Sequence, residues 1–355
     1  MIPLLLFSMF SFTVRSALLA IAASAAFVNA APSISLKITG SDSMSSVGDL
    51  KVMATVTNTG DETVKLLNDP HSPLSTLPAD TFDISSDANG ARPSFSGIKA
   101  KYVPEVAAAR KAFTTLAPGQ SIEVMHDLSE AYSFNEVNEG SYAIKARNLF
   151  YLVDDSAKVT PIHATTEAHT ARLSGNLSTT RPVIQKRASY VGCTASEQSI
   201  LVSAASAAQN YASGARSYLQ SHTSSSSRFT TWFGTYTSSH HNTVLDHFSK
   251  ISSNDFSSYT YDCTCNDAGV FAFVFPDQFG TVHLCPVFWQ VPTTGTDSRG
   301  GTLVHESSHF TANGGTDDHV YGQSGCKQLA SSNSNQAIDN ADSHEYFAEN
   351  NPAQS

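Results

Sequence analysis

Over residues 33–38, 50–56 and 141–146, hydrophobic and polar side chains alternate with a period of two, so that Ile34, Leu36 and Ile38 share one face. Asn58-Thr59-Gly60 and Asn138-Glu139-Gly140 supply turn chemistry beside these runs. Alternation broken by such turns predicts antiparallel strands, and residues 31–188 read as a β-sandwich-like unit. Beyond residue 189 the rhythm changes. Residues 199–219 are rich in alanine, with Ile200, Val202, Ala205, Ala208 and Tyr211 among the less polar positions, and are expected to form a helix. A shorter helix is expected over 242–251 and two more near 302–311 and 336–350, while the apolar runs 270–275 and 282–287 read as strands. The class is therefore α+β: a mostly helical second part with a small β-sheet, preceded by a β-rich first part.

The amino terminus has a different pattern. Arg15 precedes an apolar run over 16–23, and Val28-Asn29-Ala30 forms a small-residue exit. This describes a signal peptide over 1–30. Ser8, Ser11 and Arg15 interrupt the apolar content before a bilayer-spanning length of about 20 residues is reached. A secreted, extracellular, soluble protein with no membrane partner is expected. Between the two parts runs a polar stretch, 174–182, holding the glycosylation sequon Asn176-Leu177-Ser178 and followed by Lys186-Arg187. A dibasic pair in an exposed linker, placed where composition changes, reads as a processing site. Residues 31–188 are then a propeptide of a zymogen and 189–355 the mature domain.

Charge narrows the partners. The net charge of -10 argues against nucleic acid, whose phosphates would be repelled. After Arg187 the chain carries 14 acidic and five basic residues, which favours basic substrates. Only Lys250 and Lys327 remain there, against nine lysines before, so this part of the chain is poor in lysine. The five cysteines, Cys193, Cys263, Cys265, Cys285 and Cys326, all follow residue 190. Cys263 and Cys265 are too close in sequence to pair with each other comfortably, so each is expected to bond Cys193 or Cys285, leaving Cys326 over.

The candidate chemistry lies at residues 305–309, His-Glu-Ser-Ser-His. On a helix, positions i and i+4 share a face, so His305 and His309 can direct both imidazoles at one metal ion. Glu306, one residue on, can reach a water at that ion and take its proton. A catalytic zinc needs a third protein ligand. The HExxHxxGxxH pattern does not supply it, because Ala312 and Gly315 occupy its last two positions. Two candidates remain, Glu345 from a later helix and Asp318 in Gly315-Thr316-Asp317-Asp318-His319-Val320-Tyr321-Gly322. Asp317 and His319 read as solvent-facing or as supports of the ligand between them.

HExxH followed by GTxDxxYG resembles the aspzincins, the deuterolysin-like zinc metallopeptidases, over the whole of 189–355. The resemblance implies a zincin-like catalytic domain binding one Zn2+ per chain through His305, His309 and Asp318. Glu306 would then be the general base, and Tyr321 would donate its hydroxyl to the developing oxyanion. Within that family, residues 340–347, Asn-Ala-Asp-Ser-His-Glu-Tyr-Phe, are similar to the fungal peptidyl-Lys metalloendopeptidases, which cut on the amino side of lysine. Asp342 and Glu345, three apart, share a helix face and could receive the ammonium group of a lysine at P1′. The substrates implied are lysine-containing proteins or peptides, and a monomer is expected. An enzyme of broader specificity, or a non-catalytic zinc-binding module, would leave those two carboxylates without that task.

Overall fold

The structure, a computed structural model, describes residues 32–177 and 189–354. The expected signal peptide, Ser178 of the sequon and the Lys186-Arg187 pair lie outside the described residues. None of the described helices is long and apolar enough to cross a membrane.

In the first part, Ile34–Gly40 pairs antiparallel with Lys51–Asn58, which pairs with Ser121–Asp127. Period-two burial follows the sequence pattern: Ile34, Leu36 and Ile38 turn inward, as do Val52, Ala54 and Val56, with Leu36 opposite Val56 and Ile38 opposite Ala54. A second sheet orders Ser43–Ser46, His169–Asn176, Gly140–Ala146 and Phe82–Ser86, and the inward residues of both sheets share one hydrophobic core. A third sheet joins Val159–His163, Leu149–Val153, Val64–Leu67 and Phe113–Leu116.

The second part is organised around the helix Arg299–His309, in which every residue from Gly300 to His309 is buried. The long helix Ala195–Ser221 packs along it, capped by Thr194, whose hydroxyl accepts the Glu197 N–H while Glu197 returns a bond to the cap. Its buried residues are Leu201, Ala204, Ala205, Ala207, Ala208, Ala212, Ala215 and Leu219. Ile200 and Val202 are not among them, and Val202 is 63% exposed. They are mainly alanines because the neighbouring helix lies close: a Cβ on Gly300 would fall 2.8 Å from that of Ala207.

A five-stranded sheet covers the other side, in the order Ser189–Val191, Thr260–Asp262, Thr281–Leu284, Val270–Val274 and Lys99–Tyr102. Its last strand comes from the first part of the chain. Ala100 and Tyr102 accordingly share a core with Val270 and Cys285. Two disulfides, Cys193–Cys263 and Cys265–Cys285, secure the sheet, and Cys326 is free and buried.

Candidate metal centre and basic-residue pocket

Ser298 starts the central helix by accepting the Gly301 N–H at 3.0 Å. Its own N–H and hydroxyl donate to Glu349, at 2.9 and 2.7 Å. A Cβ at Gly301 would stand 2.1 Å from Glu349 Oε1, so only glycine lets the carboxylate sit against this helix start. Burial, with Glu345 nearby, pushes the Glu349 carboxyl up to about 9.

One turn apart, His305 and His309 bring their Nε2 atoms to 3.1 Å. The chain then leaves the helix and turns at Gly315, whose φ of +61° is the left-handed region that glycine adopts freely. The turn delivers Thr316 against the helix. Its hydroxyl meets that of Ser308 at 2.6 Å, and its carbonyl accepts the His309 Nδ1–H at 2.8 Å, fixing which ring nitrogen faces inward. Two residues later Asp318 points back at the histidines, its N–H held by the Asp317 carboxylate at 2.8 Å.

Asp318 Oδ1 lies 3.3 Å from His305 Nε2 and Oδ2 lies 3.4 Å from His309 Nε2. Donors around a tetrahedral ion with bonds of about 2.0–2.2 Å are separated by roughly 3.3 Å, so this set fits zinc. Asp318 Oδ1 and Glu306 Oε2 are buried with no hydrogen-bonding partner among the described residues, as expected of oxygens meant for an ion and a water. Burial opposes ionisation of Asp318, but His309 and His305 outweigh it and hold the carboxyl well below its usual range. Burial lifts the Glu306 carboxyl to about 7.

Glu345 does not join these donors. It lies 3.5 Å from His305 Nδ1, on the opposite edge of the ring. Asp342 is there too, its Oδ1 2.8 Å from the same nitrogen and its Oδ2 accepting the Gly322 N–H at 2.7 Å. Both carboxylates are completely buried, so they do not form a solvated acidic face. Between them sits the ammonium of Lys101, from the edge strand. Its Nζ is 2.7 Å from Glu345 Oε2, 3.2 Å from Asp297 Oδ1 and 3.4 Å from Asp342 Oδ1. The rings of Phe271 and Tyr346 flank it, with their centroids at 5.0 and 5.4 Å. Burial alone would strip its charge, yet the three carboxylates reverse that and hold Lys101 protonated.

Tyr321 closes the site. Its hydroxyl donates to the Ala100 carbonyl at 3.1 Å and lies 3.4 Å from His71 Nδ1. Burial keeps the phenol well above its usual range, hence neutral and able to donate. Asp317 instead pairs with Lys99, and His319 meets Asp339 at 2.9 Å, so neither reaches the cluster. Sequence reasoning missed Lys101, Asp297 and Glu349. No spacing marks them, although Lys99-Ala100-Lys101-Tyr102 does stand out as an extended run with a lysine between small and aromatic residues.

Residues 218–349 match the aspzincin family, described as lysine-specific metallo-endopeptidase. A peptidyl-Lys metalloendopeptidase of Grifola frondosa is 53% identical over 346 residues, covering 96% of this chain and 99% of its own. Another, of Armillaria mellea, is 53% identical over 353 residues, covering 98% and 100%. Among solved structures, a zinc peptidase from Grifola frondosa is 62% identical, with a TM-score of 0.46, over 46% of this chain and all of that one.

Proposed function

The chain belongs to the aspzincin family of metallo-endopeptidases, and on that premise we propose how its site works. It is a zinc endopeptidase that hydrolyses peptide bonds on the amino side of lysine. One observation carries the substrate assignment: an ammonium group lies among Glu345, Asp297 and Asp342, one imidazole away from the metal donors.

His305, His309 and Asp318 would hold one zinc ion, whose chemistry when bound would be Lewis acidity toward the scissile carbonyl and a lowered pKa for a water. Glu306 takes the proton from the attacking water and hands it to the leaving amine; a buried carboxyl titrating near 7 is matched to both transfers. Tyr321 donates its hydroxyl to the oxygen that becomes negative. Asp342 has two tasks, since one carboxylate orients His305 through Nδ1 and faces the incoming lysine. An ammonium has three N–H donors, and the pocket presents three carboxylates to it. A planar guanidinium does not match that arrangement, so lysine is preferred to arginine.

The precursor carries a signal peptide over 1–30 and a propeptide over 31–188, and the catalytic monomer, 189–355, is secreted. The test is digestion of a denatured protein by the processed enzyme with and without a chelator, with cleavage sites read by mass spectrometry. Cuts before lysine that vanish with chelator are expected. Chelator-sensitive cuts without lysine at P1′ would discard the pocket assignment, and cleavage indifferent to chelator would discard the zinc site.

A further inference from the structure

Resting on that reading, we propose that residues 99–102 are an intramolecular substrate, and that Ala100–Lys101 is the bond the enzyme cuts in itself to open its own cleft. The side chain of Lys101 is only part of the evidence. The main chain is laid out for hydrolysis as well. The strand Lys99–Tyr102 runs antiparallel to the edge Val270–Val274, with Ala100 opposite Phe273 and Lys99 opposite Val274, which is how an extended peptide adds to a sheet. On the amino side of the bond, the Ala100 carbonyl accepts the Tyr321 hydroxyl at 3.1 Å. On the carboxyl side, the Lys101 N–H donates to Glu306 Oε1 at 3.1 Å, so the proposed proton carrier already touches the nitrogen that must be protonated. The Ala100 N–H reaches Asp318 Oδ2 at 3.2 Å, which sets the peptide beside the metal donors.

A segment that merely covered the cleft would need none of these backbone contacts. Nor would it need a lysine, with no exposed surface, at the position the pocket selects. Lys99, two residues earlier, turns outward to Asp317 and cannot substitute. A cavity of about 560 Å³ is lined by Asp318, Tyr321 and Asp297 and by Val103, the residue that follows the segment. In the proposed step one water adds across the Ala100–Lys101 bond. Its oxygen and one hydrogen go to the Ala100 carboxyl and its other hydrogen to the Lys101 amine, with no change of oxidation state.

The experiment uses the full chain, purified in chelator and then given zinc, alongside its E306Q variant. Fragments are followed by intact mass and amino-terminal sequencing while hydrolysis of an added lysyl peptide is recorded. The expected result is a fragment beginning at Lys101, formed at a rate independent of protein concentration and absent in E306Q, with activity on the added peptide rising as it forms. K101A should lose that fragment and show at least a tenfold higher initial rate on the added peptide. Separately, acetylation of the zinc-free full chain should leave Lys101 unlabelled while exposed lysines react. The proposal is overturned if the added peptide is cut before lysine while Ala100–Lys101 stays intact, or if Lys101 is acetylated as readily as the rest. If neither peptide nor chain is cut in a folded, zinc-loaded sample, the enzymatic reading itself fails.

Discussion

His305 has two ring nitrogens, and the fold places an anionic cavity against each. On the Nε2 side stand His309 and Asp318, with donor atoms 3.1–3.4 Å apart and one Asp318 oxygen lacking any hydrogen bond among the described residues. On the Nδ1 side stand Asp342, Glu345 and Asp297, with an ammonium already among them. The two cavities use similar chemistry. What separates them is the donor set and its spacing: two imidazoles and a carboxylate drawn tightly together suit a small dication, while three carboxylates walled by Phe271 and Tyr346 suit an organic cation. Buried negative charge is therefore not by itself a sign of a metal. The partner that satisfies it has to be read from geometry.

The contrast can be broken from either side. The largest effect should come from Asp318→Ala, which is expected to abolish zinc retention and reduce peptide hydrolysis below detection, whereas Glu345→Ala should keep its zinc; metal analysis after dialysis checks both. Glu306→Gln should also retain zinc but lower kcat by roughly 10²–10⁴-fold, since it removes only the proton carrier. Tyr321→Phe, in single-turnover assays, should cost about 10²-fold in kcat, the scale set by loss of one oxyanion donor. Asp342→Asn touches both cavities, so it should weaken zinc by roughly 10–100-fold through His305 and lower kcat/KM for lysyl peptides as well. A variant affecting only one of the two would show that His305 does not link them.

The smallest effect lies just behind the pocket. His344 is buried with its Nδ1–H donated to the Asn340 carbonyl and its Nε2 3.0 Å from His247. Burial, with His247 beside it, lowers its pKa to about 3. A depressed pKa means that the unfolded chain binds the proton more readily. The stability contribution is thus complete above the unfolded value and is lost as pH falls toward the folded one. Between about 6.5 and 3, this residue should make stability fall as the pH falls. Chemical denaturation of the zinc-free protein over that range should show a shallower dependence in His344→Leu.

How much of this was legible beforehand follows from the range of each contact. His305, Glu306 and His309 are set by one turn of helix, Asp342 and Glu345 by another, and a period of 3.6 exposes both. Asp318 and Tyr321 required the longer GTxDxxYG pattern, because a turn at Gly315 rather than a periodicity brings them in. The central helix starts at Arg299, earlier than expected, since Gly300 and Gly301 read as poor helix formers. Packing against Ala207 and Glu349 requires glycine there and outweighs its propensity. The helices Ser227–Phe233 and Gly322–Ser332 were missed in short, polar stretches. Lys101 was out of reach altogether: it meets Glu306 across 205 residues, and no local pattern encodes that distance.

The most direct test of the two-cavity account is the ratio of kcat/KM for matched peptides carrying lysine or glutamine at P1′, measured with the wild-type enzyme and with Glu345→Gln. Loss of one partner of a buried charge pair costs about 2–5 kcal/mol, so the ratio should drop roughly 30-fold or more while the glutamine peptide is little changed. An equal loss on both peptides would contradict the account, placing Glu345 with the metal rather than with the lysine.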